Sequence, residues 1–291
     1  MTEQPSEKKL KYIDSHCHIN STLRENKIET SLEEWEKFYK TFPDSFECCI
    51  NVNFTPELIE NGIIYTKNTN NVYSGVGIHP LNADLWSEDV KTTILRLKKE
   101  DDDTLKNNNS NNIKDTPNRI VGIGECGLDY SHWSKIEKSI QKQVFIEQIK
   151  LAHELHLPLI IHTRDAEDDT WEIFEKHLPL DLEVHIHCFT GTKDFAAKVL
   201  EKYPNVYFGF TGVCTFKSGK NIREAMEIVP LNRILVETDS PFLAPVPFRG
   251  KVCNSGMIPH ILKVMAKTKN IPEEEMYQHC YENTKRLYKI P

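Results

Sequence analysis

The feature that most constrains the fold of this chain is a unit that recurs along it. Each unit is a short apolar run rich in β-branched residues, followed by a longer stretch with helical periodicity. Eight such runs are predicted as strands, at residues 11–18, 47–53, 72–79, 119–125, 158–162, 182–189, 206–211 and 233–239. Strands that alternate with helices are typical of βα units and a parallel sheet. Eight units predict a (β/α)8 TIM barrel, and a doubly wound open sheet is the alternative.

The stretches between the predicted strands support the helical half of the unit. Apolar side chains fall on one helical face within residues 31–42 and within residues 135–157. The alternation continues through residues 194–203, 221–229 and 257–267. Because barrels of this kind often run to about 250 residues as one domain, we predict a single domain over residues 1–291.

One segment interrupts the alternation. Residues 98–118 contain an acidic block, then an asparagine tract, then a proline turn. A segment with so little to bury is predicted to be a mobile, low-complexity loop inserted into the barrel. It precedes the fourth strand, so we expect it on the amino-terminal face of the barrel, where it would be dispensable for activity.

Composition and charge exclude several classes of protein. The formal net charge of −7 excludes a uniformly basic nucleic-acid coat, and the hydrophobic content of 39% supplies a sizeable core. The eight cysteines include no C-x-x-C pair, so we expect reduced thiols. No apolar run approaches the roughly 18 residues of a membrane helix, and the first ten residues lack the apolar stretch of a signal peptide. We expect no membrane partner and a cytoplasmic location, with the nucleus as a further location.

Potential metal ligands stand at the carboxyl ends of five predicted strands, where the active sites of such barrels are built. They are His16, His18, Glu125, His162, His187 and Asp239. Successive side chains alternate across a strand, so His16 and His18 point to one face and Cys17 points to the other. If that face is the barrel interior, two imidazole nitrogens converge on one ion.

The chemistry of this set indicates the kind of ion. Four imidazoles and two carboxylates are too rich in nitrogen for calcium or a typical magnesium cage, and they suit zinc or another first-row transition ion. A bridging carboxylate at Glu125 would allow two ions about 3.5 to 4 Å apart with a shared hydroxide. An isolated strand histidine is more often a hydrogen-bonded core residue than a ligand, and we expect this of His185, one layer deeper. The joint placement of six ligands at strand ends favours a metal site.

Six sequence runs resemble the successive signature motifs of the TatD family of metal-dependent deoxyribonucleases, within the amidohydrolase superfamily. The runs are YIDSHCH, GVGIHP, GIGECGLDY, IIHTRDA, HCFTG and ETDSPFLAP, in the family's order, and the resemblance extends from about residue 11 to about residue 287. The resemblance implies two divalent metal ions, zinc, manganese or magnesium. It further implies that one ion is bound by His16 and His18, the second by His162 and His187, that Glu125 bridges, and that Asp239 is both ligand and general base.

The resemblance also points to substrate-binding residues. His79 and Arg164 match family positions near the substrate phosphate. Where the family often reads R-G-K-R-N-E-P, residues 249–255 read R-G-K-V-C-N-S, so Arg249 and Lys251 are retained as predicted phosphate contacts and the rest of the loop is not. Aromatic side chains after the strands, Phe242 among them, would offer stacking platforms for single-stranded bases.

Together these features predict a metal-dependent deoxyribonuclease that hydrolyses DNA through a metal-bound hydroxide. We expect a monomeric 3′–5′ exonuclease that acts on single-stranded DNA or frayed ends and serves DNA repair. Because contacts to phosphate and sugar carry no direct sequence information, we expect weak sequence preference. One alternative is another hydrolase on the same scaffold, acting on a lactone, an amide or a small phosphoester. The other is a non-catalytic binding or scaffold protein.

Overall fold

The computed structural model describes residues 10–108 and 119–291. Its strands form one parallel, eight-stranded sheet whose spatial order is the order of the chain. The strands are β1 Tyr12–Cys17, β2 Phe46–Asn53, β3 Val72–Val76, β4 Ile120–Asp129, β5 Leu159–Arg164, β6 Val184–Ile186, β7 Val206–Phe210 and β8 Ile234–Val236. Each predicted strand is present, and the predicted (β/α)8 TIM barrel is confirmed.

The sheet closes on itself between its first and last strands. Cys17 forms a parallel bridge with Ser240. The backbone N–H of Asp239 donates to the carbonyl of His16 at 2.9 Å, and the N–H of His18 donates to the carbonyl of Ser240 at 3.0 Å. The closure lies at the carboxyl end of the strands, so it fixes the relative positions of residues that are far apart in the chain.

Helices connect the strands and surround the barrel. They are α1 Ile19–Glu25, α2 Leu32–Tyr39, α3 Pro56–Asn68, α4 Glu88–Asn108, α5 Lys138–Leu155, α6 Glu167–His177, α7 Lys193–Lys202, α8 Lys220–Ile228, α9 Ile258–Lys269 and α10 Glu273–Tyr288. The hydroxyls of Ser31, Thr55 and Thr192 accept a backbone N–H in the first turn of α2, α3 and α7, which satisfies donors that a helix start leaves free. Within residues 10–108 and 119–291, no helix has both the length and the apolar composition needed to cross a bilayer.

The core lies in two layers. The larger layer fills the space between the strands and the outer helices. The smaller layer lies inside the barrel, where Leu287 and Tyr288 at the end of α10 pack in one buried cluster with Ile13, Ile50 and Leu235 from the early part of the strands. The amino end of the barrel is therefore filled by apolar side chains, and the carboxyl end is left for polar ones.

The prediction of a loop over residues 98–118 was wrong for its first half. Residues 98–108 continue the helix α4, and the remaining residues 109–118 lie outside the described part of the chain. Lys98 is buried and pairs with Asp102 one turn later. The carboxylate of Asp101 accepts the backbone N–H groups of Arg119 and Ile120, each at 3.1 Å. This half of the segment is therefore attached to the start of β4.

Candidate metal centre

The six predicted metal ligands converge at the carboxyl end of the barrel. His16 is in β1, Glu125 in β4 and His162 in β5, while His18 and His187 follow directly after β1 and β6, and Asp239 comes three residues after the end of β8. Five of the six line one open cavity of about 670 Å³, and His16 lies fully buried beneath it. Their ligand atoms form two groups that share the carboxylate of Glu125.

The first group joins β1 to the end of β8. The Nε2 atoms of His16 and His18 lie 3.4 Å apart. The Oδ1 atom of Asp239 lies 3.4 Å from Nε2 of His18 and 3.9 Å from Nε2 of His16. The Oε2 atom of Glu125 lies 3.5 Å and 3.7 Å from the same two nitrogens. The carboxylates of Glu125 and Asp239, from distant parts of the chain, therefore both lie close to the two imidazole nitrogens that β1 supplies.

The second group joins β4, β5 and β6. Nδ1 of His162 and Nε2 of His187 lie 3.2 Å apart. Oε1 of Glu125 lies 2.9 Å from the first nitrogen and 2.6 Å from the second. Glu125 thus presents one oxygen to each group, which is the arrangement expected of a bridging ligand.

The hydrogen bonds of these histidines fit a cation. Nδ1 of His18 lies 2.8 Å from the carbonyl of Val52, which can only accept, so this nitrogen carries the proton of the neutral ring, and Nε2 then presents a lone pair. In the first group that lone pair faces the oxygens of Glu125 and Asp239, which are acceptors when ionised. Converging acceptors need a positive charge between them, and imidazole and carboxylate are ligands of first-row divalent ions. The residues therefore fit the two divalent ions that were predicted.

The electrostatics of the site also favour a cation. Burial alone would raise the pKa of Glu125, but the surrounding histidines, His187 first and His79 next, hold it well below its usual range. Burial, aided by the nearby His187, lowers the pKa of His16 to about 4. At neutral pH this places an ionised carboxylate beside a neutral imidazole, the two forms that bind a metal. Burial disfavours charge on His187 as well, yet the carboxylate of Glu125 stabilises a positive charge beside it and raises the pKa of His187 well above the usual value.

Two of the four predicted substrate residues line the cavity. Nε2 of His79 lies 3.4 Å from Oε1 of Glu125, and its Nδ1 accepts the N–H of Leu81 at 3.0 Å, so Nε2 carries the proton of the neutral ring. Arg164 is exposed at the end of β5, and no ion pair joins it to a carboxylate in the described part of the chain. His79 therefore lies against the metal ligands, and Arg164 offers its guanidinium to a bound anion.

The other two predicted substrate residues lie outside the cavity lining. The guanidinium of Arg249 lies 4.5 Å from the ring centroid of Phe216, and the ammonium of Lys251 lies 5.8 Å from that of Phe248. Both cations are exposed. They lie on a ledge formed by the segments that follow β7 and β8, defined here by Phe216, Phe248, Arg249 and Lys251. A direct contact of this ledge with the reacting phosphate is not supported, whereas contact with a longer substrate remains a prediction.

The part of the mouth that follows β5 and β6 is acidic. A second groove of about 520 Å³ shares Thr163 and Thr190 with the main cavity. Four carboxylates and one ammonium line it, namely those of Asp165, Glu167, Asp168, Asp169 and Lys138. The mouth therefore has a cationic ledge after β7 and β8 and a groove of mainly negative charge after β5 and β6.

Sequence reasoning missed Asp129. Its Oδ2 lies 3.0 Å from Nε2 of His162, and it is 2% exposed. The predicted strand ended at residue 125, whereas β4 continues to Asp129. The signal was present, since Glu125, Gly127 and Asp129 alternate at the period of two that places side chains on one face of a strand. The placement of His185 was as expected: it is fully buried, with Nε2 2.9 Å from Oε2 of Glu237.

Comparisons with known proteins agree with this arrangement. The family profile described as TatD related DNase matches residues 13–289. The uncharacterized metal-dependent hydrolase YabD of Bacillus subtilis (strain 168) is 34% identical over 278 residues, which cover 96% of this chain and 99% of YabD. The 3'-5' RNA nuclease TATDN2 of Homo sapiens is 31% identical over 284 residues, which cover 96% of this chain and 35% of the human protein.

The fold also matches a solved structure. YjjV, a TatD homolog from Escherichia coli K12, superposes with a TM-score of 0.78 at 21% identity. The match covers 96% of this chain and 98% of YjjV. At this level of identity the similarity supports the fold only, and the chemistry has to be argued from the residues of the site.

Proposed function

This chain belongs to the TatD family of metal-dependent hydrolases, and we propose that it is a deoxyribonuclease that removes nucleotides from the 3′ end of single-stranded DNA or frayed duplex ends. The observation that carries the proposal is the pair of ligand groups that share Glu125 at the base of an open cavity. Two cations held this close by a bridging carboxylate suit the displacement of one phosphate oxygen by another.

The residues of the centre divide the chemistry among them. When bound, two divalent ions supply Lewis acidity at the phosphate and lower the pKa of a water molecule from about 15.7 towards about 7. His16, His18 and Asp239 would hold one ion, His162 and His187 the other, and Glu125 both. Asp239 lines the cavity with its side chain 15% exposed, so its carboxylate can reach a water molecule and accept its proton.

Two side chains are suited to bind the reacting phosphate. The guanidinium of Arg164 is free of carboxylate partners in the described part of the chain and can donate to two non-bridging oxygens at once. His79 lines the same cavity, and its Nε2–H, 3.4 Å from Oε1 of Glu125, can donate to a group bound beside that carboxylate. Donors that are already in place at a partly buried site stabilise the charge that develops in the transition state.

The shape and charge of the mouth favour the end of a strand over its middle. The cavity volume of about 670 Å³ lies within the range of small-ligand sites, about 300 to 1,000 Å³. Phosphates that lie along the ledge meet Arg249 and Lys251, whereas phosphates that continue past Thr163 meet the carboxylates of the acidic groove. A DNA strand whose phosphates lie along the ledge and do not continue into the acidic groove must end in the cavity, so this charge pattern favours a strand terminus. The 3′ polarity is supported by the human relative, which is described as a 3'-5' RNA nuclease.

RNA is a second candidate substrate. It is favoured by the same relative, which is described as an RNA nuclease and is 31% identical to this chain. A 2′-hydroxyl is the group by which a protein separates RNA from DNA, so matched DNA and RNA oligonucleotides distinguish the two substrates directly.

The test is hydrolysis of single-stranded DNA labelled at either end, with manganese, magnesium or zinc added in turn. We expect stepwise shortening from the 3′ end, and a loss of at least about 100-fold in the Asp239→Asn variant. A matched RNA strand is run beside it. Turnover of a lactone or an amide with no cleavage of either nucleic acid by any ion would assign the barrel to the small-molecule alternative.

A further inference from the structure

The predicted ligand histidines differ in what holds their outer nitrogen, the ring nitrogen that faces away from the proposed ions. For His18 it is a backbone carbonyl, that of Val52 at 2.8 Å. For His16 the outer nitrogen, Nδ1, is buried without a hydrogen-bond partner. For His187 it lies 3.6 Å from Oε1 of Glu237, beyond hydrogen-bond distance. Within residues 10–108 and 119–291, only His162 has its outer nitrogen hydrogen-bonded to a carboxylate, that of Asp129 at 3.0 Å.

Asp129 is itself held rigidly. Its Oδ1 accepts the N–H of Ser131 at 2.8 Å, so both carboxylate oxygens have a donor. The side-chain amide of Gln141 in α5 accepts the backbone N–H of Asp129 at 2.8 Å and donates to its carbonyl at 3.1 Å. Gln141 is 1% exposed, and this pair of bonds ties the last residue of β4 to the first turns of α5. The carboxylate therefore has one orientation.

We propose that Asp129 is a positioning residue for the second metal, holding His162 with its proton on Nε2 and its lone pair on Nδ1. The Nδ1 atom is the one that faces Oε1 of Glu125 and Nε2 of His187. A carboxylate behind a ligating histidine fixes the ring and its tautomer and makes the ligating nitrogen more basic. The inference rests on the proposed metal centre and adds to it a residue outside the six predicted ligands.

A competing arrangement would make Asp129 a metal ligand. Together with His79 and His162 it forms a group whose ligand atoms lie within 4.8 Å of one another. In that arrangement Nε2 of His162 would bind a third ion while Nδ1 binds the second, so the ring would have to lose both protons. A neutral ring that donates from Nε2 to Asp129 avoids this, and the two arrangements differ in the number of ions bound.

The test measures metal binding rather than hydrolysis. Metal-free protein is titrated with zinc by calorimetry, and bound metal is counted after dialysis, for the unaltered chain, Asp129→Ala and Asp129→Asn. We expect two ions in the unaltered chain and a 10- to 100-fold loss of affinity for one of them in Asp129→Ala. Asp129→Asn should fall between them, because an amide offers one oxygen to the two donors of Ser131 and His162.

The matched control is Asp194→Asn, which removes the same charge from an exposed position in the first turn of α7 and should leave both affinities unchanged. Thermal unfolding of each metal-free variant shows that it is folded, and the near-isosteric Asn variant decides the matter if Asp129→Ala does not fold. Equal affinities in all four proteins would overturn the proposal, and so would a fall from three bound ions to two with the remaining affinities unchanged. A chain that binds no divalent ion at all would instead refute the proposed function.

Discussion

At the residue scale, Glu125 concentrates the most interactions in the site. Its two oxygens lie within 3.7 Å of nitrogens from His16, His18, His79, His162 and His187. The side chain is almost fully buried, so the negative charge is maintained only by these neighbours and by whatever cation they hold. The binding of each proposed ion therefore depends on the carboxylate of Glu125.

Replacing Glu125 with Gln should dismantle the centre while keeping its shape. The amide directs a donor at imidazole nitrogens or at a cation, so we expect fewer bound ions per chain and a loss of hydrolysis of at least about 100-fold. Bound metal after dialysis and the rate on single-stranded DNA measure the two effects. An equal charge change at the exposed Glu175→Gln serves as the control. Full metal content in the Glu125→Gln variant would show that the carboxylate does not bridge.

Phe242 is the residue best placed to touch a base. Its ring is 57% exposed and lines the cavity three residues after Asp239. Stacking of a base on an aromatic ring contributes about 1–3 kcal/mol, so Phe242→Ala should raise KM for an oligonucleotide by about 5- to 150-fold with little change in kcat. Phe242→Trp should keep KM low. An unchanged KM in the alanine variant would place the terminal base elsewhere in the cavity.

At the element scale, the strands were predictable and their ends were not. Hydrophobic periodicity located all eight, because a buried parallel strand is an apolar run with turns on both sides. An apolar run alone does not mark the residue at which backbone pairing stops. β6 and β8 end before His187 and Asp239, and β4 runs on to Asp129, which only the alternation of residues 125, 127 and 129 indicated. The six metal-ligand candidates were found because they depend on strand order, whereas Asp129 depends on where one strand ends.

The helix α4 shows where composition misleads. Its acidic second half was predicted as a loop, yet Arg96 pairs with Glu100 and Lys98 with Asp102, each one turn apart on the helix. Pairs at this spacing stabilise a helix, and Leu97 adds buried apolar surface from the same turn. Charge that alternates at helical spacing therefore outweighs a low overall hydropathy.

The attachment of α4 to β4 leads to a stability prediction. Replacing Asp101 with Ala leaves the N–H groups of Arg119 and Ile120 without their acceptor, which should lower the free energy of unfolding by about 1–3 kcal/mol. Urea denaturation measures it, with the exposed Lys99→Ala on the same helix as control. Because this contact lies at the amino end of the barrel, the rate of hydrolysis by the folded variant should not change. A variant as stable as the parent would show that solvent replaces the carboxylate.

At the scale of the whole molecule, charge is distributed unevenly although the sum is −7. The ledge after β7 and β8 presents Arg249 and Lys251, and the groove beyond Thr163 presents carboxylates. A polyanion approaching the mouth is attracted by the cationic ledge and repelled by the acidic groove, so it is oriented before it binds. The net charge of the chain does not reveal this local separation of charge.

The uneven charge predicts a salt dependence that can be divided between residues. Each phosphate contact with a single strand contributes about 0.7 to the slope of log affinity against log salt, so the Arg249→Ala, Lys251→Ala double variant should lower that slope by about 1.4. Fluorescence anisotropy with a labelled oligonucleotide in calcium, over a range of salt, measures it. The same two-charge change at Lys150→Ala and Lys176→Ala, on α5 and α6, is the control. If both double variants changed the slope alike, the ledge would have no special part in binding.

The closure of the barrel has a consequence for how the protein comes into being. The backbone N–H of Thr238 donates to the side-chain carboxylate of Asp14, 224 residues away in the chain, at 2.9 Å, right beside the ligands that β1 and β8 supply. A nascent chain on the ribosome exposes His16 and His18 early, but it has no Asp239 to complete the first group until most of the sequence has been translated. An unfinished chain therefore cannot assemble this metal centre, which forms only after β8 has been translated and the barrel has closed.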